Sequence, residues 1–269
     1  MLTPRLRHTL LLGSLALFSA CSSTPSPPTA SASGDEAYQR LMKLASDVES
    51  RGDLGTAATL YQRAVEQPGA GFEAWLNLGN ARLHSGNLQG AEQAFQKAVA
   101  LQPDDPLALL GLGTAQLRLG YPERAQPFLA SASQQLPDNA QAFARLGAAE
   151  AQLGNIDAMQ QAFARARQLS PNDLDARSNL ALAYALNGKS TEALGEVAGI
   201  DRAPTAQLRH QRNALLVQVL AGASGKPDTV QLDGVSAAQR QELIAEARRI
   251  AAIGDPAARA RAMGLSNGK

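Results

Sequence analysis

The sequence predicts an all-α solenoid, a stack of helix–turn–helix units repeating every 34 residues, and three observations carry that reading. Glycine recurs at Gly52, Gly86, Gly120, Gly154, Gly188 and Gly222, six successive points on one step in a chain of 269 residues holding 23 glycines. Other residues keep the same step in phases of their own. Pro103, Pro137 and Pro171 share one phase, with Pro68 displaced by one. Tyr61, Phe95, Leu129, Phe163 and Val197 share a second. Ala57, Ala91, Ala125 and Ala193 share a third, with Met159 the exception, and Ala64, Ala98, Ala132 and Ala166 a fourth. Composition agrees: only 4% of residues are aromatic while 45% are hydrophobic, and alanine is abundant. Small apolar residues suit closely crossing helices, whereas a β-sandwich would want Val, Ile, Thr and aromatic rings.

Residues 72–105 show the physics of one unit. Trp75, Leu78 and Gly79 fall at helical spacing and face a partner helix. Gly86 ends this first helix, where a left-handed residue turns the chain back without a Cβ penalty. Ala91, Phe95 and Ala98 form the inner stripe of the second helix, and Pro103 stops it. Gly79 and Ala91 let the pair cross closely, while Trp75 and Phe95 fill the gaps. No unit buries its apolar faces alone, so stacking supplies the stability.

This pattern, W-x2-L-G, then G, then A-x3-F-x2-A and P, resembles the tetratricopeptide repeat. The resemblance implies a right-handed α-solenoid with the first helix of each unit, helix A, lining the inside of the superhelix. Residues 72–105 and 106–139 match closely, and so does 140–173 through Phe143, Leu146, Gly147, Phe163, Ala166 and Pro171. The first unit, 38–71, supplies Leu41, Leu44, Ala45 and Tyr61. The fifth, 174–207, opens with Leu180, Ala181, Tyr184 and Gly188 and decays after Ala193. A sixth keeps helix A through Leu215 to Gly222, but Pro227 stands where its second helix should begin. The array is therefore expected over residues 36–223 and a linker over 224–235. The remainder, 236–269, reads as a C-terminal capping helix and a loose tail. That helix should start at Ser236, with Gln239 as its capping-box partner, run to about Ile253, and leave the chain beyond Gly254 loose.

The first twenty residues read as a secretion signal. Arg5, Arg7 and His8 make a positive start, and Leu10 to Ala20 is an apolar run too short to span a bilayer. It ends in Phe18-Ser19-Ala20-Cys21, which resembles the lipobox of bacterial lipoproteins, with Phe18 in place of the usual Leu. The resemblance implies cleavage before Cys21, a diacylglycerol on its thiol and acylation of the new amino end. Several acyl chains make a stable anchor where one is marginal. A plain secretion signal with an incidental cysteine is the alternative. Ser22 rather than Asp follows, which in such lipoproteins implies the outer membrane, facing the periplasm. Residues 21–35 then form a Ser/Pro/Thr-rich tether that cannot build a core. Its thirteen residues from Ser22 to Gly34 reach about 40 Å when stretched.

Charge and chemistry exclude several functions. Without Arg5 and Arg7 the chain holds 23 basic against 24 acidic residues, so no basic field exists for a nucleic acid. Cys21 is the only cysteine, which rules out an internal disulfide or a cysteine metal cluster. His8, His84 and His210 are scattered. Gly222-Ala223-Ser224-Gly225-Lys226 echoes the end of a phosphate loop, but Pro227 replaces the required Ser or Thr. Gly111-Leu112-Gly113 lies within a helix A and belongs to the repeat. No catalytic, cofactor-binding or metal-ligating set stands apart from the repeat, so the chain reads as a binding protein rather than an enzyme, with no small-molecule substrate.

The candidate site is the concave groove. By register its inward residues are Met42, Ser46 and Glu49, then Leu76, Asn80 and Leu83, then Leu107, Leu110, Thr114 and Leu117. Ala144, Ala148 and Ala151 follow, then Ser178, Leu182 and Ala185, and last Arg212, Leu216 and Val219. Its centre is apolar and nearly uncharged, which suits an amphipathic helix or extended segment of a protein partner. Alternatively a neighbouring helix of the same chain covers it. Asn77, Asn179 and Asn213 share one phase of helix A and Asn80 adds another. They suit either hydrogen bonds to a ligand backbone or bonds to neighbouring loops. Leu76 and Leu110 stand where a carboxylate clamp of the chaperone type has lysines, which argues against such a clamp.

The lipobox, tether, repeats and degenerate end together resemble the TadD-type tetratricopeptide-repeat lipoproteins of the Tad/Flp pilus assembly system. Ser178 to Gly188 and Gln211 to Leu215 carry the likeness most. It implies a pilotin or assembly factor whose groove holds a secretin or another pilus component. Type IV pilus pilotins and adaptors that dock peptidoglycan hydrolases or proteases are the alternatives.

Overall fold

A computed structural model describes residues 30–263, so the signal, Cys21 and most of the tether lie outside the described residues. The helices pair as the period requires. Helix α1 (Ala30–Ser50) packs on α2 (Leu54–Val65), α3 (Phe72–His84) on α4 (Leu88–Leu101), and α5 (Pro106–Arg118) on α6 (Pro122–Gln135). Likewise α7 (Ala140–Leu153) packs on α8 (Ile156–Leu169), and α9 (Leu174–Leu186) on α10 (Ser190–Val197). Helix α11 (Leu208–Leu220) is the helix A of the sixth unit. Two further helices, α12 (Ala237–Ala251) and α13 (Pro256–Ala262), follow it. Among the described residues there is no strand. Helix α1 begins at Ala30, inside the stretch read as tether.

All six register glycines occupy the turn after a helix A, with φ from +86° at Gly52 to +60° at Gly222. That is the left-handed region, where any other L-residue is strained. The helices also start as their sequences dictate. Asp53, Asn87, Asp105, Asn139 and Asp173 each accept a hydrogen bond from a backbone N–H of the first turn.

Glycines inside helix A set how closely the helices meet. A Cβ on Gly79 would lie 2.6 Å from the Phe95 ring, and Gly111 meets the same ring from α5. Phe95 is fully buried, so its ring locks α4 between successive helices A. Gly147 stands in the same relation to Phe163, and Gly113 to Leu129. The largest apolar cluster runs from α5 through α13, with smaller clusters around Tyr61 and around Phe95.

The regular pairing of helices ends with α10. Helix α10 has eight residues and gives way, past Gly199 at φ +72°, to a 3-10 turn over Ile200–Arg202. The sixth unit has no second helix; 3-10 turns at Gly222–Ser224 and Pro227–Thr229 replace it. The linker is pinned rather than loose. Gln211 donates to the Asp201 carbonyl at 3.1 Å and to Asp233 Oδ2 at 2.6 Å, while the Asp233 N–H donates back at 2.9 Å. Arg240 reaches the Val230 and Pro227 carbonyls at 2.8 and 2.9 Å.

The capping box at Ser236 and Gln239 is present and opens α12. The tail beyond Gly254 departs from expectation. Asp255 accepts from the N–H groups of Ala257 and Ala258, Pro256 occupies the first turn, and α13 forms. It docks on α7 and α9: Ala260 is buried, Ala257 packs on Gly154, and Arg261 donates to the Gln152 carbonyl at 3.2 Å. Together α12 and α13 make an arm that leaves α11 and returns to α7.

Candidate functional site

The helices A expected to line the groove fall into two parts. Toward the N-terminus Leu76, Asn77 and Asn80 are half-buried, and Leu107 is 49% exposed. Leu83, Leu110, Thr114 and Leu117 stand at inward positions by register, yet all four are buried. Helix α5 is the reason. It lies against α3, α4, α6 and α7, and every residue from Ala108 to Leu117 is buried. The Thr114 hydroxyl is spent on the Leu110 carbonyl at 2.6 Å. These four residues join neighbouring helices, so Leu107, Leu76 and the asparagines are left as contacts a partner can reach.

Toward the C-terminus the chain's own arm covers the groove. Leu243, Ala247 and Ile250 of α12, with Ala262 and Met263, face Ala144, Ala148, Asn179, Leu182, Asn213 and Leu216 across a cleft of about 1050 Å³. Ser178 lies buried, with its hydroxyl unpartnered. Self-coverage therefore holds for this half, and the extended groove expected from register is shortened by it. The amides of Asn77, Asn80, Asn179 and Asn213 make no hydrogen bond among the described residues. They do not tie down loops.

The cleft is charged, contrary to the uncharged centre read from sequence. Arg145, Arg209, Arg212, Asp173, Asp175 and Glu246 all line it. Asp175 is the most engaged: it receives both arms of the Arg209 guanidinium at 2.9 Å and His210 Nε2 at 2.9 Å. His210 is buried, and its Nδ1 accepts from the Gln207 N–H at 3.0 Å. That bond leaves Nε2 as the protonated donor to Asp175. The Arg209 hydrogen bonds hold the Asp175 carboxyl below the usual carboxylate range. His84 is exposed.

Arg145 is the residue that sequence reading missed. Its Nε is buried without a hydrogen-bond partner, and its guanidinium makes no ion pair among the described residues. Desolvation pulls its pKa down, with the Arg118 charge adding to the effect and Asp175 opposing it. A signal was available. Stepping Asn213 and Asn179 back by one more period lands on Arg145, then on Gly111, Asn77 and Lys43.

Residues 41–198 match the family described as the Cilia and flagella-associated protein 70 middle TPR-like domain. The chain belongs to this tetratricopeptide-repeat family. No curated protein matches it. Among solved structures, this repeat chain is similar to PilW, described as a widely conserved type IV pilus biogenesis factor, with 18% identity, a TM-score of 0.61, and 70% of this chain and 88% of that one covered. It is similar also to Pseudomonas aeruginosa PilF, at 16% identity and TM-score 0.59, covering 80% and 90% of the two chains. YrrB, described as a TPR protein with an unusual peptide-binding site, aligns at 21% identity and TM-score 0.52, covering 71% and 96%. At such identities the likeness speaks to fold. Repeat arrays of this kind present extended concave surfaces for binding, and among the described residues no helix is long and apolar enough to cross a membrane.

Proposed function

We propose that the protein is an outer-membrane lipoprotein scaffold that holds a segment of a partner protein in the open half of its groove, in assembly of a Tad/Flp pilus secretin. The observation that carries the binding role is the set of unspent groups on α3 and α5. Leu107 is exposed although apolar, and the Asn77 and Asn80 amides make no hydrogen bond among the described residues. An exposed leucine beside free amides suits an amphipathic segment, whose apolar side chains need a floor and whose backbone needs partners. Lipidation of Cys21 would hold the array at the membrane surface.

The pilus assignment draws on the TadD-type resemblance, and the fold likeness to PilF and PilW is compatible with it. A type IV pilus pilotin is the second reading, favoured by the same likeness. The deciding experiment is purification of the full-length protein from detergent-solubilised membranes of a pilus-producing strain after crosslinking. A Tad secretin should co-purify and be lost in Leu107→Glu. Recovery of only a type IV secretin would move the assignment to that system, and recovery of only cell-wall hydrolases would refute both. Leu110→Glu is a poor probe, because Leu110 is 8% exposed and a carboxylate there would damage the core. Cys21→Ser should shift the protein from the membrane fraction to the soluble periplasm, and unchanged membrane retention would contradict lipidation.

A further inference from the structure

The arm is built differently from the array it covers. Helix α9 buries nine of its thirteen residues, whereas α12 buries only Ile244 and Ala247, and α13 only Ala260. The arm is secured at its two ends. At the base, Arg240 holds the Val230 and Pro227 carbonyls and Asp233 is bonded to Gln211, so α12 starts from a fixed point on α11. At the tip, α13 meets α7 and α9 through buried Ala260, through Ala257 against Gly154, and through the exposed bond from Arg261 to the Gln152 carbonyl. The remaining bonds of the tip lie within the arm: Asp255 caps α13, and Arg259 Nε donates to the Ile253 carbonyl at 2.9 Å. Those bonds travel with the tip if it lifts. Between base and tip, Leu243 and Ile250 stay partly exposed over the cleft whose floor includes Ala148, Leu182 and Leu216. A permanent cap packs its apolar face to interior density. A small apolar contact and a solvent-exposed hydrogen bond instead mark a segment that opens far more readily than the whole fold.

We propose that α12 and α13 form a strap that opens at its α13 end, and that opening extends the binding surface from the open half onto α7, α9 and α11 for an apolar segment of the partner. The closed strap withholds Ala148, Leu182 and Leu216. A segment that needs them binds only the open fraction of molecules, so its apparent affinity is reduced by that fraction. The strap is in this sense an intramolecular competitor, and a partner that lifts it gains the longer surface. The identity of that partner rests on the scaffold reading, whereas the opening is a property of this chain alone.

The test is thiol labelling of the full-length protein carrying Cys21→Ser, which removes its only cysteine. Asn77→Cys and Asn179→Cys place a thiol in the same phase of helix A three periods apart, the first in the open half and the second under the strap. The probe is a polyethylene-glycol maleimide too bulky to enter the closed cleft. Position 77 should react at least about tenfold faster than position 179. Ala260→Arg puts a guanidinium where the tip is buried, and should speed labelling at position 179 at least about fivefold while leaving position 77 unchanged. Gly154→Ala pushes on the tip from the other side, because its methyl meets Ala257, and should act in the same way. Gly120→Ala carries the same left-handed strain with nothing near its methyl, and should leave position 179 slow. That control separates an opened strap from a weakened fold. If Ala260→Arg does not fold, Gly154→Ala and hydrogen exchange of the unaltered chain decide: α13 amides should exchange at least about tenfold faster than those of α9. Position 179 reacting as fast as position 77 would mean that no strap is closed. Slow labelling unmoved by either tip variant, or equal protection of α13 and α9, would mean a permanent cap. Equal acceleration by Gly120→Ala would mean general unfolding. Each of these overturns the proposal. Labelling needs no partner, so failure of the strap and failure to capture a secretin through Leu107 are distinguishable.

Discussion

Phe95 and the glycines around it show how much a single side chain can fix. Its ring is fully buried between Gly79 of one unit and Gly111 of the next, so it sets the spacing within a pair and between pairs. Phe95→Ala should cost about 3–5 kcal/mol by leaving a cavity that touches two units. Gly111→Ala should cost about 1–3 kcal/mol, because the added methyl meets a ring with nowhere to go. Both are read from chemical denaturation. Half of this was legible in the sequence. Gly79 and Phe95 follow from the pattern of one unit, whereas the role of Gly111 needs the neighbouring unit in space. Asp175 belongs at the same scale. Its folded pKa lies below the unfolded value, so its pairing with Arg209 stabilises the fold above the ordinary carboxylate range, near about 4, and that contribution is lost as pH falls through the depressed folded value. Asp175→Asn should flatten the fall in stability below about pH 4; an unchanged acid limb would mean the pair contributes nothing.

At the scale of elements, the six turns form a natural series. Gly120 and Gly154 share a left-handed φ, +83° and +81°, but a Cβ on Gly120 meets nothing, while one on Gly154 runs into Ala257 of α13. Gly→Ala at either turn should cost about 1–2 kcal/mol for the backbone alone. Gly154→Ala should cost more than Gly120→Ala, and deleting α13 should erase the excess. Equal costs would mean that the arm is not docked in solution. This element was the least legible part of the fold. The signals that start α13, Asp255 and Pro256, are in the sequence. What turns a seven-residue helix into an ordered one is its contact with α7, and the Arg261–Gln152 bond spans 109 residues. Helical periodicity reports which face of a segment is apolar, and says nothing of which distant surface receives it.

Across the whole molecule, period and function are linked by the groove that stacking creates. The 34-residue step was enough to place the paired helices and their turns, because each unit repeats one local solution. It does not say how the columns expected to face inward are used. Leu110 and Leu117 are spent on joining helices, Ala148 and Leu182 lie under the arm, and Leu107 stays open. Those differences come from helix-to-helix contacts that register alone does not contain. Among the described residues Leu107 stays exposed on α5, in the half nearer the N-terminus, and at the other end α12 and α13 roof a cleft lined by charged groups. On the proposed function, the open half holds a pilus secretin. Its most direct test is a photocrosslinking amino acid placed at Leu107 of the full-length protein in a pilus-producing strain. A crosslink to the secretin is expected, and it should be lost when Asn77 and Asn80 are both replaced by Asp. Crosslinks to other proteins alone, with none to a secretin, would contradict it.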